Sequence, residues 1–376
     1  MDVPQATGAK RAETTHRRIG CSPRRIRDAY GSLLGLRRRS GRLLASVILA
    51  ASATVGWAAE SAVDYDGAIT ITLENDVFTG SDNNYTNGLG VSWVSKEVTL
   101  YDEHSPARRW GQFWSFLPFV GDPGYKTYVS WSLAQEMFTP DDIEDPHPPL
   151  DDQPYAGVLY LDSVVYAKSE RWAHAWQLRI GVVGPASHAD DTQRWFHDIT
   201  GNPEPMGWST QMPNEPIVNV GYTATYMLAQ GDLGGSAGWR VVPVANAGLG
   251  NYFTGGGLGI YGEIGWNLVD ALGGTALRQG FNAASTVGVG PVKGWSVSLS
   301  GGIAGYGIVR YLPLDGTLFK DSRSVDSKPF VGMGTLGLSV RHGSFVFFVG
   351  RTYFTKTFET ERRSPEFGTM SLSWYF

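Results

Sequence analysis

Three stretches of this sequence carry side chains able to do chemistry together. The first runs Glu74-Asn75-Asp76, then Thr79 to Asn84, then Tyr85-Thr86-Asn87-Gly88. A carboxylate, a hydroxyl and nearby carbonyls suit a hard cation such as calcium, with Asp76 and Thr86 as ligands. The same residues also suit a polar hairpin loop rich in turn formers. The second stretch joins Gln135-Glu136 and Thr139-Pro140 to Asp151-Asp152-Gln153-Pro154-Tyr155-Ala156-Gly157. Between them lies a proline-rich acidic loop with no lysine or arginine. The third is Ser187 to Gly201. Asp190 and Asp191 suit the start of a helix near 190–200, and Gly201 suits its C-cap. Gln193 and His197, at i and i+4, share one helix face. A histidine held by a neighbouring hydrogen bond makes a general base; a surface histidine on a plugging helix is the competing reading. These three stretches contain no G-x-S-x-G nucleophile elbow, so direct attack by water is preferred to an acyl-enzyme.

The elements that must position these groups are strands. Ile69, Ile71 and Leu73 alternate with Thr70 and Thr72, and Leu89, Val91 and Trp93 alternate with Gly88, Gly90 and Ser92. Trp176, Leu178, Ile180 and Val182 alternate with Gln177, Arg179 and Gly181, and the chain ends on Met370, Leu372, Trp374 and Phe376 sharing one face. A sustained period of two means half-buried strands. They are expected near 67–76, 85–97, 125–138, 155–167, 173–184, 217–230, 237–250, 254–267, 294–312, 326–341, 343–357 and 365–376. Residues 279–290 form a further candidate strand or an extension of a loop. The apolar faces look inward in a soluble sandwich and outward in a membrane barrel.

Composition bears on that choice. The 376 residues include 48 glycines, 13 Trp, 17 Tyr and 17 Phe, with only 18% charged. After residue 60 no apolar run approaches the ~18 residues of a spanning helix. The first 60 residues are basic, and Arg37-Arg38-Arg39 and Arg42 precede the apolar run Leu43 to Ala51 and a small-residue zone to Ala59. That is the pattern of an exported leader, 1–60, followed by one domain, 61–376; a membrane anchor competes, but the run is short for a span. Beyond the leader, acidic residues outnumber basic ones, which excludes nucleic acid as the expected partner. The single cysteine, Cys21, lies in the leader, so the exported domain has no disulfide. The leader and the aromatic C-terminus favour the membrane. The expected fold is an all-β transmembrane antiparallel barrel of about 12 strands, an even count, with a short helix on the extracellular side. With both termini periplasmic, strands 1, 3 and 5 end at the cell surface, where all three polar stretches fall. Residues 98–124 fit less well as a periplasmic turn; Trp110, Phe113, Trp114, Phe116 and Phe119 suit the membrane interface.

Together these marks resemble the outer-membrane lipid A deacylases, enzymes that remove an acyl group from the 3′-position of lipid A. The resemblance spans roughly residues 65–376. It rests on Asn75-Asp76, Tyr85-Thr86-x-Gly88, Thr139-Pro140 to Gly157, Gly184-Pro185, Gln193-x3-His197-x3-Gly201, Gly207-Trp208 and Phe376. It implies a bacterial outer-membrane barrel acting on lipopolysaccharide, with calcium-dependent ester hydrolysis between the barrel wall and the helix. Asn75, Asp76, Thr86, Gln193 and His197 take the family's site positions. His197 is then the base, Gln193 orients its imidazole, and Asn75 contacts substrate from the rim. A C-terminal Phe376 resembles the signal recognised by the barrel-assembly machinery. Two departures stand out. One branch of the family carries a lysine soon after the Thr/Ser-Pro segment, near where Asp145 stands here, and a glutamate six residues past the histidine, where this chain has Pro203 followed by Glu204. A non-enzymatic channel or scaffold, or an outer-membrane phospholipase, are the alternative functions.

Overall fold

The computed structural model describes residues 64–75, 84–99, 106–269 and 287–376. The leader 1–60, Asp76 and most of the candidate strand 279–290 lie outside the described residues.

Alternating side chains give strands, and the strands close on themselves. They are β1 Gly67–Asn75, β2 Asn84–Ser95, β3 Lys126–Thr139, β4 Ala156–Lys168 and β5 Trp172–Val183. Next comes β6, made of Glu215–Tyr226 and Ala229–Gly234, then β7 Ala237–Gly250 and β8 Phe253–Trp266. The barrel is completed by β9 Val292–Tyr311, β10 Phe330–Gly343, β11 Phe345–Phe354 and β12 Glu366–Tyr375. The two pieces of β6 align along β7 one after the other, as Asn219 opposite Gly250 and Ala229 opposite Val241, so they act as one interrupted strand. β1 pairs with both β2 and β12, which leaves a closed antiparallel barrel of 12 strands. Closure removes every free edge. Among the described residues no helix is long and apolar enough to cross a membrane.

The faces are inverted relative to a water-soluble barrel. Ile71, Leu133, Ile180, Leu258, Ile303, Leu336 and Leu372 are exposed on the outside, while Thr70, Ser130, Ser132, Asp162, Arg179 and Ser373 are buried inside. An apolar belt outside and hydrogen-bonding groups inside is the solution lipid demands. Inside, Asp162 accepts from Arg179 Nε at 2.8 Å and Nη2 at 2.9 Å, and from Gln177 Nε2 at 2.7 Å. The guanidinium lies 3.6 Å from the Tyr160 ring centroid. Glu136 accepts from the hydroxyls of Tyr160 and Tyr252. Arg179→Met leaves the Asp162 charge buried without its cation. It should cost about 3–5 kcal/mol, read as a shift in the urea midpoint of the barrel refolded into vesicles.

The lumen is filled at both ends. Near the termini, Val269, Val287 and Val289 from the β8–β9 connection pack among Ala68, Val94, Tyr128, Tyr166 and Tyr375, all on inward-facing positions. At the other end Phe138, Tyr252, Phe253 and Leu312 form a second cluster, and Gln153 Nε2 donates to the Pro313 carbonyl at 2.9 Å. The aromatic segment 98–124 contains a helix, α1 Pro106–Phe113. It lies outside the wall near the termini, with Trp110 Nε1 donating to Ser163 Oγ at 2.5 Å and Phe113 and Phe116 exposed.

The loops opposite the termini carry a titratable joint. Glu361 is 2% exposed and accepts from Thr357, while Thr360 Oγ1 donates to the Asp151 carbonyl at 2.5 Å. Burial pushes the Glu361 carboxyl up to about 7, and nearby Asp141 adds to the rise. A carboxyl raised in the closed form holds a proton that the open form has lost. Closure is therefore favoured at low pH and weakens as pH rises towards 7. Amide exchange in residues 355–361, corrected for intrinsic rates, should show stronger protection at pH 5 than at pH 8. Glu361→Gln should flatten that difference.

Candidate active site

The site is built around α2, Ala189–Thr200, which leaves β5 through a turn only glycine allows. Gly184 has φ +99°, and a Cβ there would lie 2.7 Å from backbone atoms of Met212, Pro213 and Asn214. Asp190 and Asp191 occupy the first turn, where the helix dipole favours them. Gly201, at φ +71°, ends the helix and donates its N–H to the His197 carbonyl at 2.8 Å. Ala189, Gln193 and His197 are the buried stripe of α2, at i, i+4 and i+8, while Trp195 and Ile199 on the other side are 62% and 66% exposed.

The stripe packs on the outside of the barrel. Met137 and Gly157 have the same parity as the exposed Leu133 and Leu161, so they face outward. A Cβ on Gly157 would lie 2.3 Å from the Ala189 Cβ, so this glycine is what lets α2 close on the wall. Met137, Tyr155, Ala189 and Trp208 form one buried cluster there, and Gln135 Nε2 donates to the Ser187 carbonyl at 2.6 Å.

His197 is 5% exposed, and its Nδ1 lies 2.5 Å from the Pro203 carbonyl oxygen. A carbonyl only accepts, so Nδ1 carries the proton and Nε2 keeps the lone pair a base needs. Gln193, expected to orient the imidazole, bonds Trp208, and a backbone carbonyl holds the ring. That carbonyl belongs to the residue at which this chain departs from the one branch of the family expected to carry a glutamate there. Glu204 itself is turned outward, 4.0 Å from Arg194. Gln193 is fully buried, and its Oε1 accepts from Trp208 Nε1 at 2.6 Å. Trp208 was legible as a mark of the family, but not as this partner.

The hairpin residues are nearby in the same wall. Asn75 and Asn87 face each other across β1 and β2, and are 2% and 4% exposed. Asn75 is thus buried at the rim instead of open to it. Thr86 is the unpaired residue of a bulge, since Tyr85 pairs with Phe138 and Asn87 with Met137. Bulges re-aim side chains beside active sites. Asn87 Oδ1 is a buried acceptor with no partner. Among the described residues no group of three or more His, Cys, Asp or Glu side chains could hold a metal ion. A hard cation would satisfy Asn87 Oδ1, which lacks the partner a buried acceptor requires. Asp145 is spent locally, its Oδ1 accepting from the His147 N–H at 2.8 Å.

The family described as "Outer membrane protein LpxR" matches residues 43–376. This chain belongs to the LpxR family. Among solved structures it is similar to LpxR from Salmonella typhimurium, with a TM-score of 0.65 and 17% identity over 82% of this chain and 100% of that one. It is also similar to the beta domain of the Bordetella autotransporter BrkA, with a TM-score of 0.40 and 9% identity over 83% of this chain and 100% of that one. No curated protein sequence matches it significantly. LpxR membership and the closed barrel make it a bacterial outer-membrane protein related to the lipid A deacylases. α2 sits at the end of the barrel remote from the termini.

Proposed function

We propose that this protein is an esterase of the outer membrane that removes an ester-linked acyl chain from the 3′-position of lipid A. The observation that carries the reading is His197. Its imidazole is buried against the lipid-facing side of the wall with Nδ1 committed to Pro203, so Nε2 is the atom available for proton transfer. A base outside the lumen meets a substrate that lies in the membrane, and the exposed Trp195 and Ile199 of α2 give that helix an apolar face towards acyl chains.

In the proposed reaction His197 Nε2 takes a proton from water as the oxygen attacks the ester carbonyl carbon. The C–O bond to the sugar then breaks, and the imidazolium returns its proton to the leaving oxygen. Gln193 stands one turn before the base on the buried face of α2, and Asn75 adds a buried amide in the adjoining wall. Asp76 and Thr86 would hold calcium. Asn75 and Asn87, which neighbour them in sequence, form the last described pair of the hairpin. When bound, the ion would polarise the ester carbonyl and stabilise the oxyanion. Residues 1–60 serve as the export leader, and Phe376 as the signal for the barrel-assembly machinery.

Purified protein in mixed vesicles tests the reading against its rivals. Free fatty acid should appear from lipid A and not from phospholipid. Release from phospholipid alone would make the protein a phospholipase. Steady ion conductance without release from either would make it a channel.

A further inference from the structure

We propose that Trp208 is a positioning residue that sets the polarity of the Gln193 amide, so that Gln193 acts as a hydrogen-bond donor to the carbonyl oxygen of the scissile ester. The inference rests on the esterase reading and deepens it.

An amide side chain has one accepting end and one donating end, and the two are similar in shape. The neighbours decide which end faces which way. The indole Nε1–H can only donate. At 2.6 Å from Trp208 Nε1, the Gln193 atom must be its oxygen. The NH2 group is thereby forced to the opposite side. There Gln193 Nε2 is buried and has no partner, while the residue as a whole is 0% exposed. A buried donor left unpaired is unfavourable, and proteins rarely keep one without a use for it. Gln193 stands one helical turn before His197 on the buried face of α2. A donor beside the base, fixed before substrate arrives, is placed to meet the ester oxygen on which charge develops.

Trp208 is itself held firmly enough for this task. It is 1% exposed, and its ring lies 4.9 Å from that of Tyr155. Tyr155 in turn donates its hydroxyl to the Ile143 carbonyl at 3.2 Å. Gly207 allows the approach, since a Cβ there would lie 2.3 Å from the Tyr155 ring. The loop 140–155 and the segment after α2 therefore lock the indole, the indole locks the amide, and the amide presents its donor. Gln193 is held by Trp208 and His197 by Pro203, so the two act on different atoms of the reaction.

The experiment is steady-state kinetics of the full-length protein in detergent micelles with lipid A, for Trp208→Phe, Gln193→Ala, the double variant and Gln193→Glu. Trp208→Phe keeps the ring and removes the N–H. It should lower kcat by about 10–10²-fold with little change in KM, because the amide is then free to turn. Gln193→Ala should lower kcat by about 10²–10³-fold, the usual effect of losing an oxyanion donor. Adding Trp208→Phe to Gln193→Ala should cause no further loss, and the pH profile, set by His197, should not move. Gln193→Glu keeps an acceptor for the indole and replaces the donor with a second acceptor. Its folding is checked by heat-modifiable migration, and its rate is read at pH 9 to drive the buried carboxyl to its acceptor-only, ionised form; there it should lose as much kcat as Gln193→Ala, which keeps the test decisive even if Trp208→Phe fails to fold. Near-wild-type kcat in Gln193→Glu, or additive losses in the double variant, would overturn the inference while leaving the esterase reading intact. No fatty acid release by the wild-type protein would overturn that reading and this inference with it.

Discussion

Replacing His197 with alanine or glutamine is expected to lower ester hydrolysis by roughly 10²–10⁴-fold, the contribution of a positioned acid–base group. The barrel should still assemble. The wall that α2 packs on is held by its own ladders and by the Asp162–Arg179 network, neither of which involves His197. Alanine also suits a helix interior. Its cost is the loss of the bond to Pro203 and some packing at one end of α2. The check is hydrolysis by purified variants whose heat-modifiable migration matches the wild type. Near-wild-type rates would make α2 structural and leave water activation to another group.

The second large effect concerns the ion. Activity should fall to background in EGTA and return on adding calcium, and Asp76→Asn or Asp76→Ala should abolish the rescue. Burying a carboxylate without an opposing charge is costly, and the sequence holds no lysine or arginine from Asn75 to Ser95. Oxygen donors and the absence of any cysteine after the leader favour calcium over zinc. Asn87 is a residue that sequence reasoning passed over, and its unpartnered Oδ1 makes it a further candidate for this test. Asn87→Ala should raise the calcium concentration needed for half-maximal activity. Full activity in EGTA with no metal found by elemental analysis would take the ion out of the reaction.

Much of the barrel was legible because its signal is local. A strand that faces lipid on one side must alternate, and segments such as Ile69 to Leu73 or Met370 to Phe376 show that alternation residue by residue. The direction of the faces was not legible. Leu133 outside and Ser132 inside give the same pattern as the reverse arrangement, and only the exposures separate them. The break in β6 at Met227 and Leu228 was invisible for another reason. Both pieces keep the same neighbour, so the hydrophobic pattern runs through it. The helix 190–200 was legible from Asp190, Asp191 and Gly201, and the structure has it at Ala189–Thr200. What holds its side chains was not. Pro203 acts through a backbone carbonyl, which leaves no mark in residue type. Trp208 reaches Gln193 across a turn whose path depends on Gly201 and Gly207.

The most direct test of the whole account is mass spectrometry of lipid A from cells that carry the wild-type protein, the His197→Ala variant or neither. The account predicts lipid A lighter by one ester-linked acyl chain, lost from the 3′-position, only in cells with the wild-type protein. Identical lipid A in all three, with the wild-type barrel assembled at the surface, would contradict it.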